Sequence, residues 1–257
     1  MFLNIILEHR RLRPTPDPAQ LAEWHQQALA APVARNFSQA LSSGPKPRII
    51  AEFKRASPSK GLLNSQLDPA LQAQAYAAGG ARALSVLTEE NYFQGSLADL
   101  QAARAATELP VLRKDFLLED WEIAQSRAYG ADAVLLIAAA LPPERMRRML
   151  ELCQTYAVAA LVEVHSLEEA RAIAPWRPGL VGINNRNLEN FQVDLATTRA
   201  ILPELHWDCI KVAESGFETP EQLAEFGQMD AFLIGETLVK SQDPRQCLHW
   251  LCRKGMP

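Results

Sequence analysis

Between Ile49 and Ile234 the chain switches eight times from a short, β-branched apolar run to a longer amphipathic one, and no other feature limits its fold as strongly. The expected strands are Ile49–Lys54, Ala83–Leu87, Val111–Arg113, Ala133–Ile137, Ala159–Val164, Leu180–Asn184, Cys209–Glu214 and Ala231–Ile234. One strand plus one helix recurs at roughly 20 to 35 residues, the spacing of parallel βαβ units. The helices carry their own start signals. Asp68-Pro69 and Asp243-Pro244 put a capping carboxylate before a proline at the first helical position, Thr219 to Gln222 and Ser166 to Glu169 read as capping boxes, and Pro142-Pro143-Glu144 opens another helix. Eight such units in series predict an α/β fold of the (β/α)8 barrel type. An open doubly wound sheet would place a glycine-rich turn after its first strand, and Ala56-Ser57-Pro58-Ser59-Lys60 is not one.

Residues 1–47 precede the first strand and read as a helical extension, broken at Pro14 to Pro18, that covers one end of a catalytic barrel spanning 48–257. In Ala19 to Ala31 the spacing of Leu21, Trp24 and Leu29 predicts a helix packed on something larger. Met1 to Leu7 is too short for a secretory core and reads as the first turns of an amphipathic helix. No run is long and apolar enough to cross a bilayer, so no membrane partner is expected. A net charge of −4 with 48% hydrophobic residues excludes a polybasic nucleic-acid surface and a disordered polyelectrolyte. A small anionic ligand must therefore be held by local cations. Cys153, Cys209, Cys247 and Cys252 show no paired metal spacing and read as reduced thiols of a cytoplasmic protein with no metal. Nothing in the sequence calls for more than a monomer.

In a barrel of this kind, function collects at the C-terminal ends of the strands, and polar residues gather there. A strand's period of two puts Glu52 and Lys54 on one face, and Leu161, Glu163 and His165 likewise. Other strands end in Arg113-Lys114-Asp115, Asn184-Asn185-Arg186, Glu214-Ser215-Gly216 and Gly235-Glu236-Thr237. Ionised groups facing a barrel interior cost several kcal/mol each unless paired or used, so Glu52, Lys54, Lys114, Glu163 and Glu214 form either a reacting centre or a structural ion-pair network. His165 is placed to cap the next helix, and Asn185 to shape a turn. Ser215-Gly216 and Gly235-Glu236 follow the last two strands, where backbone N–H groups can hold a phosphate. The Glu236 side chain is then expected to turn aside while its N–H serves.

The longer stretches Ala51 to Gly61, Leu84 to Thr88, Tyr92 to Ser96, Leu112 to Phe116, Leu161 to His165, Gly182 to Leu188, Glu214 to Gly216 and Leu233 to Glu236 resemble, in one collinear register over about residues 48–245, the indole-3-glycerol phosphate synthase family of tryptophan biosynthesis. The resemblance implies a lyase that closes 1-(2-carboxyphenylamino)-1-deoxyribulose 5-phosphate to indole-3-glycerol phosphate, releasing carbon dioxide and water without a cofactor. It implies Lys114 as the acid in ring closure and Glu163 as candidate acid in dehydration, with Lys54 and Lys114 competing for that role. It further implies Lys54 against the substrate's anions, Glu52 and Asn184 as orienting groups, Arg186, Glu214 and Ser215 in the wall, and Gly216, Gly235 and Glu236 on the phosphate. Ser57 is expected near the anthranilate carboxylate, and Phe116, Leu135 and Leu188 around the aryl ring. The extension with its proline break is where the chain departs most from the family pattern. A phosphoribosylanthranilate isomerase would need a cysteine ending the first strand, which is absent; a catalytically silent binding barrel would differ in turnover alone. The chain's length past the eighth helix leaves no room for a fused isomerase.

Overall fold

The computed structural model describes residues 2–253. Met1, at the head of the expected first helix, and residues 254–257, at the end of the expected barrel, lie outside the described residues. Eight parallel strands close into a barrel: Ile49–Phe53, Ala83–Leu87, Val111–Lys114, Ala133–Ile137, Ala159–Val164, Leu180–Asn184, Ile210–Glu214 and Ala231–Ile234. Closure is made by the first strand, which pairs with the eighth at Ile49↔Phe232 and with the second at Ile50↔Ala83. Lys54 therefore stands one residue beyond its strand, Lys114 belongs to the third strand, and Cys209 precedes the seventh.

Helices α4 (Pro69–Ala78), α5 (Leu97–Ala105), α6 (Trp121–Ala128), α7 (Pro143–Thr155), α8 (Leu167–Ile173), α9 (Ala196–Ile201) and α10 (Pro220–Glu225) connect the strands, and α11 (Glu236–Lys240) and α12 (Pro244–Leu251) follow the eighth. Their caps explain where they begin. Asp68 accepts the Leu71 N–H at 2.8 Å, Asp243 that of Gln246 at 2.9 Å, and Thr219 and Gln222 complete a reciprocal box. The expected box at Ser166 forms by half: Ser166 Oγ accepts the Glu169 N–H, but the Glu169 carboxylate takes the N–H of His165, one residue before the cap.

Before the barrel lie α1 (Phe2–Arg11), α2 (Pro18–Ala30) and α3 (Phe37–Ser42). Leu3, Ile6 and Leu7 of α1 join the same hydrophobic core as the strands. On α2 it is Trp24 and Ala28, four residues apart, that face inward, with Trp24 stacked on Trp121 at 5.5 Å. Leu29, expected on that face, is 57% exposed, because the next residue of a helix is turned about 100° away. A small hairpin, Ala56–Ser57 against Gly61–Leu62, follows the first strand where the Ser-Pro-Ser-Lys-Gly run reads as a loop with a turn glycine.

Candidate active site

Parallel pairing brings the C-terminal strand ends to one rim, where the barrel opens into a cavity of about 560 Å³. Helix α1 roofs it with Phe2, Leu3 and Ile6, and the Phe2 ring meets Tyr92 and Phe191 edge-on, each at 5.1 Å. Of the residues singled out from the sequence, this one cavity is lined by Glu52, Lys54, Ser57, Lys114, Phe116, Leu135, Glu163, Asn184, Arg186, Leu188, Glu214, Ser215, Gly216, Gly235 and Glu236.

Its floor is an interlocked set of charges. Lys54 Nζ lies 2.5 Å from Glu52 Oε1, and Lys114 Nζ is bracketed by Glu163 Oε2 at 2.9 Å and Glu214 Oε2 at 3.0 Å. Burial alone would discharge Lys114, but Glu163, Glu214 and Glu52 override it and raise its pKa above an ordinary lysine's. Burial would also protonate Glu163, yet Lys114 and His165 hold its pKa well below the carboxylate range. Glu214 resolves the other way: burial and the nearby Glu163 charge outweigh Lys114 and push it up to about 8. At neutral pH Lys114 is thus an ammonium, Glu163 a carboxylate and Glu214 a protonated acid.

Two glycines make room for this set. A Cβ on Gly182 would run into the Glu214 carboxylate, and one on Gly235 into that of Glu52. In the sequence Gly182 reads only as part of the sixth strand, and Gly235 as a backbone position for an anion.

Around the centre are a glycine-bearing corner with several cations and an apolar slot. Ser215 holds a left-handed φ of 65° and donates from Oγ to Asn184 Oδ1 at 2.8 Å, which fixes the strained turn beside Gly216. Across the corner, the Glu236 side chain reaches Lys240 Nζ at 2.5 Å, with Arg186 Nη2 at 3.7 Å and Lys60 Nζ at 4.0 Å. Burial would raise its pKa, but Lys240, Lys60 and Lys54 lower it, so it stays ionised among these cations. The slot is walled by Phe116, Leu135 and Leu188, joined by Phe93, whose ring lies 6.2 Å from that of Phe116.

Asn185, His165 and Arg113 lie outside the cavity lining. Asn185 shapes the turn: its amide donates to the carbonyls of Glu214 and Ser215, and its Oδ1 accepts from Thr198. His165 does not cap α8, a position held by Ser166. Arg113 is buried away from the cavity, bonded to Thr88, Gln125, Ser126 and Asp115. Sequence reasoning missed Arg10 of α1, which enters this buried set and pairs with Asp115 and Glu122. A lone arginine on the apolar face of α1, beside Leu3, Ile6 and Leu7, was the available signal.

Among the described residues, no helix is long and apolar enough to cross a membrane. Solved structures share the architecture: 3-hexulose-6-phosphate synthase from Salmonella typhimurium aligns with a TM-score of 0.60 at 7% identity, over 80% of this chain and 96% of that one. The tryptophan synthase subunit alpha from Legionella pneumophila aligns at 0.56 and 17% identity, over 79% and 90%. At such identities the likeness speaks for the barrel alone. Sequence relatives are far closer. The indole-3-glycerol phosphate synthase of Rhodococcus jostii is 48% identical over 89% of this chain and 85% of its own, and that of Chromobacterium violaceum is 42% identical over 96% of each. The family model for indole-3-glycerol phosphate synthase matches residues 4–251, so the extension expected to depart from the pattern falls within the match from residue 4 onward. By that match and these relatives, the chain belongs to the indole-3-glycerol phosphate synthase family, decarboxylating lyases of tryptophan biosynthesis.

Proposed function

We propose that the charged floor and the two pockets beside it carry out the family's reaction on 1-(2-carboxyphenylamino)-1-deoxyribulose 5-phosphate. The observation that carries this reading is Lys114, an ammonium held between Glu163 and Glu214 at the base of a roofed cavity. The substrate phosphate rests on the N–H groups of Gly216, Gly235 and Glu236, near Lys60 and Arg186. The aryl ring lies between Phe93, Phe116, Leu135 and Leu188, with its carboxylate toward Ser57 and Lys54.

In ring closure, the ring carbon bearing the carboxylate attacks the ketone carbon, and the ketone oxygen takes a proton from Lys114 to become a hydroxyl. Carbon dioxide then leaves, and its bonding electron pair returns to the ring. Aromaticity supplies the electron sink, so the balance calls for no external oxidant or reductant. Dehydration needs an acid for the departing hydroxyl and a base for the adjacent methylene proton. Glu163, ionised at rest, becomes an acid only after gaining a proton. Lys114 turns neutral when it protonates the ketone, which removes the cation that held Glu163 ionised, and the proton on Glu214 lies next to Lys114. Glu52 holds Lys54, and Asn184 holds Ser215.

The four free thiols fit a reducing cytoplasm, and the chain is proposed to act as a monomer. Residues 1–47 act as the cover and 48–257 as the catalytic barrel, with α1 forming the cavity roof. The test is indole fluorescence on mixing the purified chain with substrate, with Lys114→Ala run beside it. Turnover by the parent, lowered at least about a hundredfold in Lys114→Ala while substrate-analogue binding persists, supports the assignment. Parental turnover in the variant sinks it.

A further inference from the structure

His165 follows the fifth strand and lies behind Glu163, outside the cavity wall. Four groups of alternating charge run outward from the cavity. Lys114 Nζ is 2.9 Å from Glu163 Oε2; Glu163 Oε1 is 3.2 Å from His165 Nε2; His165 Nδ1 is 3.4 Å from Glu169 Oε2. Glu169 is itself held, accepting the His165 N–H at 2.8 Å and the Ser166 hydroxyl at 3.2 Å. Nδ1 shares a hydrogen bond with Glu169, while the buried Nε2 has no aligned hydrogen-bond partner and meets the Glu163 carboxylate as a charge contact, so a doubly protonated ring faces a carboxylate on each side.

We infer that His165 is a positioning residue for the family's reaction: it anchors Glu163 by Oε1, so that Oε2 alone faces Lys114 and the reacting atoms. A buried carboxylate held only by Lys114 would follow that ammonium when it turns to the substrate. Held from behind, it keeps one oxygen fixed and one available. The charged groups facing Glu163 are Lys114 from the third strand, Glu214 from the seventh and His165 from the end of its own; those facing His165 are Glu163 and Glu169. Burial would favour a neutral imidazole, but the two carboxylates push it up to about 9, so the anchor is cationic at neutral pH.

The inference rests on the reading of Glu163 as a proton-exchanging group, and the experiment separates the two. His165→Ala, His165→Gln and Glu163→Gln are compared with the parent by steady-state turnover of the carboxyphenylamino substrate across pH, with folding checked by circular dichroism. His165→Ala is expected to lower kcat about 10- to 100-fold with KM within about threefold. Loss of the cation also raises the Glu163 pKa, so the acid limb of the kcat/KM profile moves up by at least about half a unit. His165→Gln, with a neutral donor, recovers part of kcat and keeps the displaced limb. A folded His165→Ala with parental kcat and limb, or with its loss confined to KM, overturns the inference. Should His165→Ala fail to fold, an unmoved limb in His165→Gln overturns it equally. Full turnover in Glu163→Gln defeats the underlying reading, whereas an inactive Glu163→Gln beside a parental His165→Ala defeats the positioning role alone.

Discussion

Arg10 of the first helix sets its guanidinium 3.2 Å from the carboxylate of Asp115, the residue that follows Lys114, with both side chains almost fully buried. The same guanidinium reaches Glu122, and Asp115 also meets Arg113 and the Thr88 hydroxyl. Burial would protonate Asp115, but Arg113 and Arg10 hold its pKa below the ordinary value. The helix that roofs the cavity is thereby tied to the strand that carries the proposed acid. Arg10→Met should leave two buried carboxylates short of a cation and cost about 3–5 kcal/mol in urea unfolding. With Phe2, Leu3 and Ile6 less firmly seated over the ligand, KM should rise more than kcat falls; a variant of parental stability and KM would show that α1 docks through its apolar face alone.

Glu214 predicts an unusual stability profile. Its folded pKa of about 8 lies above the usual 4.5, so the folded state holds a proton that the unfolded chain has released. The sign follows from linkage: this contribution is complete below about pH 4.5 and is lost as pH climbs toward 8. Glu214→Gln keeps the shape of the neutral acid and cannot ionise. The stability of the parent relative to Glu214→Gln should therefore fall by about 3 kcal/mol between pH 5 and 8, read from urea melts at several pH values. A flat difference would place the proton elsewhere in the Glu163 and Glu214 pair.

At the proposed phosphate corner, Glu236 holds a carboxylate near Lys240, Arg186 and Lys60, where a phosphate would compete with it for the same cations. Glu236→Gln removes that competing charge while keeping the backbone N–H. Inorganic phosphate should then inhibit at concentrations about three- to tenfold lower, the size of a partly screened charge interaction, with the gain shrinking as salt rises. Weaker inhibition would mean that the carboxylate organises the corner for the anion.

The contrast between what the chain's letters reveal and what they hide is physical. All eight strands were legible to within about a residue, because a parallel barrel buries both strand faces and writes them as unbroken β-branched runs. The polar ends were legible because a carboxylate or ammonium breaking such a run has few structural reasons to be there. The partners of Arg10 were not, since they lie 105 and 112 residues away and a lone arginine on an apolar helix face does not say what it pairs with. The hairpin at Ala56–Ser57 was hidden because its strands are two residues long and enclose Pro58-Ser59-Lys60, which with Gly61 reads as turn chemistry. Leu29 misled because hydrophobicity alone does not say which side of α2 is covered. Nor could letters say which of Glu163 and Glu214 carries the proton, a matter of one ammonium and one imidazole at about 3 Å.

Gly182 gives the sharpest structural test of the charged floor. It pairs with Glu163 on one side and with Val212 on the other, and its missing side chain leaves the space that the Glu214 carboxylate fills. In Gly182→Ala the added methyl and that carboxylate compete for one position between two rigid strands, where neither backbone can withdraw. Overpacking of this kind costs about 1–3 kcal/mol, and relief by rotating Glu214 would take its oxygen off Lys114. Turnover should drop at least about tenfold, since small displacements at a reacting centre are costly. Gly179→Ala is the matched control, because a Cβ there meets nothing within 4 Å. It should keep parental turnover and melting. Equal activity in the two variants would show that Glu214 can leave its place without consequence, and with it would go the bracketed lysine on which the proposed chemistry depends.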